Sequence, residues 1–230
     1  ANYKKRKQWE IEQLFESYPH KKYNLVDICK INRDNISKKD KDTLEFINYI
    51  DISSVKKGVI KGTKNILIDK IPSRAKRKLL IDDILLSCIR PKLHHIAIIK
   101  NNIENGVCST GFCTLTCNKK LVLPEFLFYN LFTEFVTNYL VNNTNSDSPP
   151  AVNIKTVEKT KIRLPNLENQ NKILLDMKKL DNQDNHYNRL IKLHEEDNER
   201  IYKNVETMCK IVQMEELSEN EEKVEEVEPV

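Results

Sequence analysis

Basic side chains crowd around two apolar runs between residues 71 and 99. The runs, 84–89 and 96–99, have the composition of strands that pack into a core. Lysine and arginine bind phosphate, and the planar guanidinium of arginine also matches the acceptor edge of guanine. Cations held at strand ends and turns therefore suit a polyanion, although an ordinary solvated surface would look the same in sequence. These cations are Arg74, Lys76, Arg77, Lys78, Arg90 and Lys92.

The chain matches none of the common catalytic motifs. It has no GxxxxGK[ST], GxGxxG, GxSxG or HExxH. The string SPPA at 148–151 is similar to the double-proline motif of amino-methyltransferases, but it ends in alanine instead of an aromatic residue. Asp82 and Asp83 are adjacent, so a turn before the apolar run is a better interpretation than a metal-binding pair. We therefore predict a chain that has no catalytic residues and is not an enzyme.

The cysteines predict neither a metal site nor disulfides. Six are present, and none forms a CxxC pair. Cys108, Cys113 and Cys117 lie close in sequence, but no ligand set with zinc-like spacing completes them. We expect reduced cysteines that pack as small hydrophobic residues, which is typical of a cytoplasmic, intracellular protein. No run of 18 apolar residues occurs, so no membrane association is predicted.

The charge is distributed unevenly along the chain. The formal net charge is +4. Residues 215–230 carry eight Glu and one Lys, a net charge of -7, so residues 1–214 carry +4 minus -7, which is +11. A basic body favours polyanions such as nucleic acid, but charge alone does not distinguish DNA from RNA or from an acidic protein. The tail has too few apolar residues to fold alone and is predicted to be disordered.

Three further segments precede this tail. Residues 1–20 are predicted to form a basic N-terminal helix or arm, because Lys4 and its basic neighbours precede apolar residues at near-helical spacing. Residues 21–165 combine β-favouring runs with a helical stretch, which predicts a single α+β domain. Within it we expect strands at 48–52, 66–68 and 109–115, a hairpin at 56–62, one helix from Pro124 to Leu140, and a polar loop at 142–153.

The segment 166–214 has the pattern of a coiled coil. Its seam positions follow each other at spacings of four and three residues without a slip, and the segment after Pro165 contains no Gly or Pro. Such a long helix needs a partner helix to cover its seam, so we predict a dimerisation or spacer helix. The polar seam residues Asp184, His194 and Asn198 either lie partly in solvent or fix the register. The apolar seam residues are Ile173, Met177, Leu180, Tyr187, Ile191, Ile201, Val205 and Met208.

Seven strings, taken in order, resemble the target-recognition domain of specificity subunits of type I restriction-modification systems. The long helix that follows is also what this family places after each recognition domain. The strings are KYNLVDICKI (22–31), YIDISSVKKGVI (49–60), PSRAKR (72–77), DDILLSCIRP (82–91), CSTGFCTL (108–115), LPEFLFYNL (123–131) and PAVNIKTVEKTKIRLPNLENQNKI (150–173).

The resemblance implies an α+β domain with a twisted mixed sheet, followed by a long coiled-coil helix, that binds half of a bipartite DNA site. It also implies double-stranded DNA and an adenine-methyltransferase subunit as partners, with or without a restriction subunit. S-adenosylmethionine would then bind the methyltransferase partner, and no cofactor is expected in this chain. A full subunit of the family has two recognition domains and two long helices, whereas this chain has one of each. We therefore expect a homodimer or pairing with a second recognition half.

The resemblance also divides the candidate DNA-contacting residues into two groups. Ser73, Arg74, Arg90 and Asn153 lie in the recurring strings, which implies a scaffold or backbone-contacting role. Sequence-specific contacts should vary between relatives, so they are expected in loops outside the strings, at 33–43, 61–70, 92–95 and 142–148. The second group of candidates is Lys61, Lys64, Lys92, His94 and His95.

Two alternative functions are compatible with the sequence. The chain would also fit the C-terminal recognition domain of a single-chain methyltransferase-nuclease, in which case the basic N-terminal segment belongs to a linker. It would equally fit a dimeric DNA-binding adaptor without sequence specificity. Selection of bound duplexes from a random pool distinguishes the specific from the unspecific binder.

Overall fold

The computed structural model describes residues 12–146, 148–179, 196, 199, 200 and 203. The chain divides into two compact units, residues Ala1–Met177 and Lys178–Val230. The described residues of the second unit are all helical. No helix among the described residues is both long enough and apolar enough to cross a bilayer. The fold below is that of the first unit.

Strands dominate the middle of the first unit, and short helices lie before, among and after them. The strands are β1 Lys21–Asn24, β2 Cys29–Ile31, β3 Phe46–Ile50, β4 Val55–Lys56, β5 Val59–Ile60, β6 Lys64–Leu67, β7 Ala75–Lys78, β8 Ile84–Ser87, β9 Ile96–Ile98, β10 Gly106–Ser109, β11 Phe112–Cys117 and β12 Lys161–Leu164. The helices are α1 Leu25–Ile28, α2 Lys38–Thr43, α3 Pro124–Asn130, α4 Glu134–Asn142 and α5 Ile154–Glu158. Residues 12–16 and 167–179 are also helical.

Two four-stranded sheets form the centre of the unit. The mixed sheet has the order β6-β3-β10-β7, and its β3 and β10 are parallel. The antiparallel sheet has the order β2-β11-β8-β9. Two short pairs, β1 with β12 and β4 with β5, lie beside these sheets. An α+β fold with a mixed sheet is thus confirmed, but the strands divide between two larger sheets.

The two sheets share a buried core. Ile50 and Cys108 from the mixed sheet cluster with Leu85, Ala97 and Phe112 from the antiparallel sheet. All four residues of β8 are buried, because this central strand is covered on both faces. Its short, almost wholly apolar sequence therefore lacks the alternation of a half-exposed strand.

Helices cover the other face of the antiparallel sheet. Phe126 of α3 is completely buried and meets the ring of Phe15 edge to face at 5.2 Å. Ile173 and Met177 belong to the same core cluster and are 0% and 1% exposed. These two side chains are therefore covered inside the first unit, which ends at Met177. The other predicted seam residues, from Leu180 to Met208, lie outside the described residues.

Three predictions about individual segments needed correction. The cations after Arg74 do not form a turn, because Ala75–Lys78 is strand β7 at the edge of the mixed sheet. The predicted helix from Pro124 to Leu140 is broken into α3 and α4, where the Thr133 hydroxyl accepts a hydrogen bond from Val136 N and caps α4. The expected loops 33–43 and 61–70 contain helix α2 and strand β6.

Candidate nucleic-acid interface

Backbone hydrogen bonds bring two of the predicted cations to one region of the unit. Thr110 N, in the turn between β10 and β11, donates to Arg74 O at 2.9 Å. The next residue, Gly111, accepts at its carbonyl from Cys88 N, also at 2.9 Å. Cys88 lies two residues before Arg90. The β10–β11 turn thus connects the segment of Arg74 with the segment of Arg90.

The loop before α5 adjoins the same region. Arg90 N donates to Pro150 O at 2.9 Å, and Ile89 pairs with Ala151 in an isolated antiparallel bridge. Asn153 follows two residues later and is exposed. Its side-chain oxygen accepts from Thr156 N at 2.8 Å and so caps α5. The structure therefore shows a helix-capping role for Asn153, next to the region where a phosphate contact was predicted.

The turn between β8 and β9 has a strained backbone. Arg90 and His94 have φ angles of +49° and +51°, in the left-handed region that residues other than glycine seldom adopt. Such residues cost on the order of 1–3 kcal/mol each and persist where the surroundings impose them. Between them Pro91 is buried, whereas Arg90 and Lys92 are exposed. The turn thus presents two cations to solvent on a backbone that its neighbours hold in place.

The two histidines of this turn bind within the chain. His94 Nε2 and the Thr137 hydroxyl oxygen are 2.9 Å apart, and His95 Nδ1 donates to the carbonyl of Ile52 at 2.9 Å. Burial, and then the charge of Lys57, lower the pKa of His94 and so favour its neutral imidazole. Both histidines attach the turn to its neighbours in the described structure. Sequence-specific contacts from them stay a prediction.

Three lysines lie on and beside the β4–β5 hairpin. Lys57 N donates to His94 O at 3.2 Å, and Lys61 N donates to Ser54 O at 2.8 Å. Lys64, on β6, forms an ion pair with Asp51. Burial opposes ionisation of Asp51, but hydrogen bonds from Lys64 and two neighbouring serines hold the pKa of Asp51 well below its usual range. Lys64 is therefore already neutralised by a carboxylate.

Lys57 was not among the predicted site residues. It is exposed, its φ angle is +47°, and its backbone amide bonds the β8–β9 turn. The sequence signal was the pair Lys56 and Lys57 before Gly58, which marks a tight turn that holds a lysine at its tip.

The cations of β7 lie at the edge of the mixed sheet. Lys78 Nζ is 2.8 Å from a carboxylate oxygen of Asp40 and 3.9 Å from one of Asp34. Hydrogen bonding from Lys78 is the main cause that lowers the pKa of Asp40. Arg77 Nη1 donates to Asn35 Oδ1 at 2.9 Å, and Lys76 is exposed. Two of these three predicted cations thus already have partners within the chain.

Many exposed lysines and arginines in the part of the chain that the structure describes have no carboxylate within 4.0 Å, and five of them belong to this region. These five lie on the joined segments described above, and we call them the basic rim: Lys57, Lys61, Arg74, Arg90 and Lys92. Unpaired cations on rigid backbone bind phosphates without first losing an intramolecular partner. Among the described residues, no cluster of three or more His, Cys, Asp or Glu side chains could hold a metal ion.

Comparison with known proteins relates this domain to one family. The family model for the type I restriction modification DNA specificity domain matches residues 19–195. The type I restriction enzyme HindI specificity subunit of Haemophilus influenzae is 30% identical over 161 residues, which is 67% of this chain and 33% of that protein.

Two solved structures have the same fold. The HsdS subunit from Thermoanaerobacter tengcongensis is 31% identical with a TM-score of 0.67, and the match covers 74% of this chain and 44% of that one. A chain from a structure described as the basis of complex assembly and conformational transition of the type I R-M system is 30% identical with a TM-score of 0.69. That match covers 79% of this chain and 47% of the other. The chain therefore spans between a third and a half of the length of these relatives.

Proposed function

Because the chain belongs to the family of type I restriction modification DNA specificity domains, we propose that it is a non-catalytic DNA-recognition component of a restriction-modification system. It binds half of a bipartite site on double-stranded DNA in the cytoplasm and directs a separate adenine methyltransferase to that site. The methyltransferase, which supplies S-adenosylmethionine chemistry, and any restriction subunit are separate chains.

The basic rim is the observation that supports this proposal. Its five cations are exposed and lack carboxylate partners in the described structure, whereas Lys64, Lys78, Lys100 and Lys119 are each paired. Phosphate contacts from such cations set the position of a protein on a duplex and carry no sequence information. Sequence must then be distinguished by residues outside the rim, for which the loop at 142–148 is the candidate.

The proposal of a second recognition half follows from how much of each relative this chain matches. Each relative is more than twice as long as the part that matches this chain. We propose that the domain provides one recognition half and pairs with a second half, either in another copy or in a related chain. Leu180, Tyr187, Ile191, Ile201, Val205 and Met208 are the proposed pairing positions, by their heptad spacing.

Selection of DNA from a random duplex pool tests the function. The full chain is immobilised, bound duplexes are recovered and sequenced, and the selection is repeated with an added adenine-methyltransferase subunit of a type I system. We expect one enriched half-site in the first selection and a bipartite motif in the second. The matched control is a chain with Arg74, Arg90 and Lys92 changed to Gln, which should recover far less DNA.

Each outcome distinguishes the candidate functions. Recovery of duplexes without any enriched motif in either selection would support the unspecific adaptor and refute the proposal. Equal recovery by the wild-type and rim variant chains would show that the basic rim is not the DNA-binding surface.

A further inference from the structure

Four cysteines of the antiparallel sheet form two close pairs. The Sγ atoms of Cys88 and Cys113 are 3.2 Å apart, and those of Cys29 and Cys117 are 3.9 Å apart. Strand β11 supplies one cysteine to each pair, because it lies between β8 and β2. Cys117 is directly opposite Cys29 in the register of β11 and β2. The described structure contains these cysteines as free thiols.

The geometry of the Cys88–Cys113 pair suits a covalent bond. A disulfide has an S–S distance of about 2.05 Å, so the two sulfur atoms need to approach by only about 1.2 Å from their separation of 3.2 Å. Cys88 lies just after the end of β8 and is partly exposed, whereas Cys113 is 4% exposed. A small solute therefore reaches the pair from the side of Cys88.

Polar groups around the pair favour a thiolate on Cys113. The hydrogen bond from Cys88 is the main cause that lowers the pKa of Cys113, against burial, which raises it. The Asn32 side-chain amide donates to Cys113 Sγ at 3.8 Å, and the positive charge of Arg77 acts in the same direction. The same hydrogen bond raises the pKa of Cys88. Cys113 therefore loses its proton more readily than an ordinary cysteine, and Cys88 loses its proton less readily.

Arg77 provides a second, independent observation. Its Nε is buried and has no hydrogen-bond partner among the described residues, although its Nη1 bonds Asn35. Its charge acts on the thiols of Cys88, Cys108 and Cys113. A buried N–H without a hydrogen-bond partner is stabilised by an anion in its surroundings, and a thiolate is such an anion.

We propose that Cys88 and Cys113 are a modification site for hydroperoxides, with Cys113 as the attacking thiolate and Cys88 as the resolving thiol. The Cys113 thiolate attacks one peroxide oxygen, the O–O bond breaks, the leaving hydroxide takes up the proton that Cys113 had released, and Cys113 sulfenic acid and one water form. Cys88 sulfur then attacks the Cys113 sulfur, the S–O bond breaks, and a disulfide and a second water form. Two thiols lose two electrons and two protons, and one hydrogen peroxide becomes two waters.

The Cys29–Cys117 pair is a matched control within the same sheet. Its sulfur atoms are farther apart, and the hydrogen bond with Cys117, together with burial, raises the pKa of Cys29. Cys108 is a second control, because burial raises the pKa of its thiol and its sulfur has no thiol partner in the described structure. Both controls should react with hydrogen peroxide more slowly than Cys113, since the thiolate is the nucleophile.

Oxidation of the full chain with hydrogen peroxide tests the proposal. Free thiols are blocked after timed exposure, and the peptides are mapped by mass spectrometry without reduction. We expect a Cys88–Cys113 disulfide as the first cross-link, and its formation should persist in the C29S/C117S variant. In C88S, the sulfenic acid on Cys113 should be trapped by dimedone more than about tenfold faster than any adduct on Cys108.

The assignment of roles has its own readout. In C113S, Cys88 should give little dimedone adduct, because burial still raises the pKa of Cys88 after its hydrogen-bond partner is lost. Comparable labelling of Cys88 in C113S and of Cys113 in C88S would overturn the assignment. A first cross-link between other cysteines, or none while circular dichroism shows an intact fold, would overturn the site itself. These readouts need no DNA, so they fail or succeed independently of the proposed function.

Discussion

The salt dependence of DNA binding gives the most direct measure of the basic rim. Each phosphate that a cation neutralises adds about -0.9 to the slope of log K against log salt concentration. Changing Arg74, Arg90 and Lys92 to Gln should therefore make the slope shallower by about 2.7. At about 0.1 M monovalent salt, loss of these three contacts should lower log K by about 2.7, so the affinity for DNA should fall about 500-fold.

A second triple variant controls for net charge. Lys78, Lys100 and Lys119 have their ammonium nitrogens within 2.8 Å of carboxylate oxygens of Asp40, Glu125 and Asp82. Changing these lysines to Gln removes the same three charges from the chain. Because their charges are already balanced locally, we expect the slope to change by less than about 0.5.

Fluorescence anisotropy with a labelled mixed-sequence duplex, at salt concentrations from about 50 to 200 mM, measures both slopes. Circular dichroism of each variant checks that the fold is retained. Equal slope changes in the two triple variants would mean that long-range charge, and not the rim, governs binding. An unchanged slope in the rim variant would refute the location of the interface.

Three further predictions concern stability and protonation. Arg163→Met removes contacts of 2.8 Å and 2.9 Å to Glu12 and Glu16, and urea unfolding should show a loss of about 2 kcal/mol because Arg163 is only 12% exposed. Gly111→Ala places a methyl carbon 2.5 Å from Ile52 Cδ1, which should cost about 1–2 kcal/mol in the same assay. The His94 pKa, measured by NMR, should lie below 6.5. Below pH 6.5 the folded state then binds fewer protons than the unfolded state, so the free energy of unfolding should fall as the pH drops through 6.5.

Each of these predictions has an outcome that contradicts it. An Arg163→Met variant as stable as the wild type would mean that the two carboxylates do not hold the N-terminal helical residues in solution. Ile52→Val shortens the side chain that Gly111→Ala meets, so failure of the double variant to recover stability would locate the strain elsewhere. A His94 pKa above 6.5 would contradict a buried, neutral imidazole, and His94→Gln should lose the part of the pH dependence that His94 causes.

The amino-acid sequence by itself determined the class of the domain and its family. An apolar run such as 84–89 and a turn at Gly58 both follow from local composition. Strand β8 and the β4–β5 hairpin could therefore be predicted. The seven family strings, in order, led to the same family that the comparison found. The turn at Asp82 and Asp83 also lies just before β8, as predicted, with Asp83 Oδ2 accepting from Leu80 N.

Only the tertiary structure decided which lysines and arginines lack a carboxylate partner and are therefore available to bind phosphate. Lysines are chemically alike in sequence, but Lys78 meets Asp40 and Lys64 meets Asp51 through contacts 38 and 13 residues apart. The seam periodicity at Ile173 and Met177 likewise did not reveal that the domain core covers both side chains. Periodicity shows which residues share a helix face, whereas long-range packing decides what that face meets.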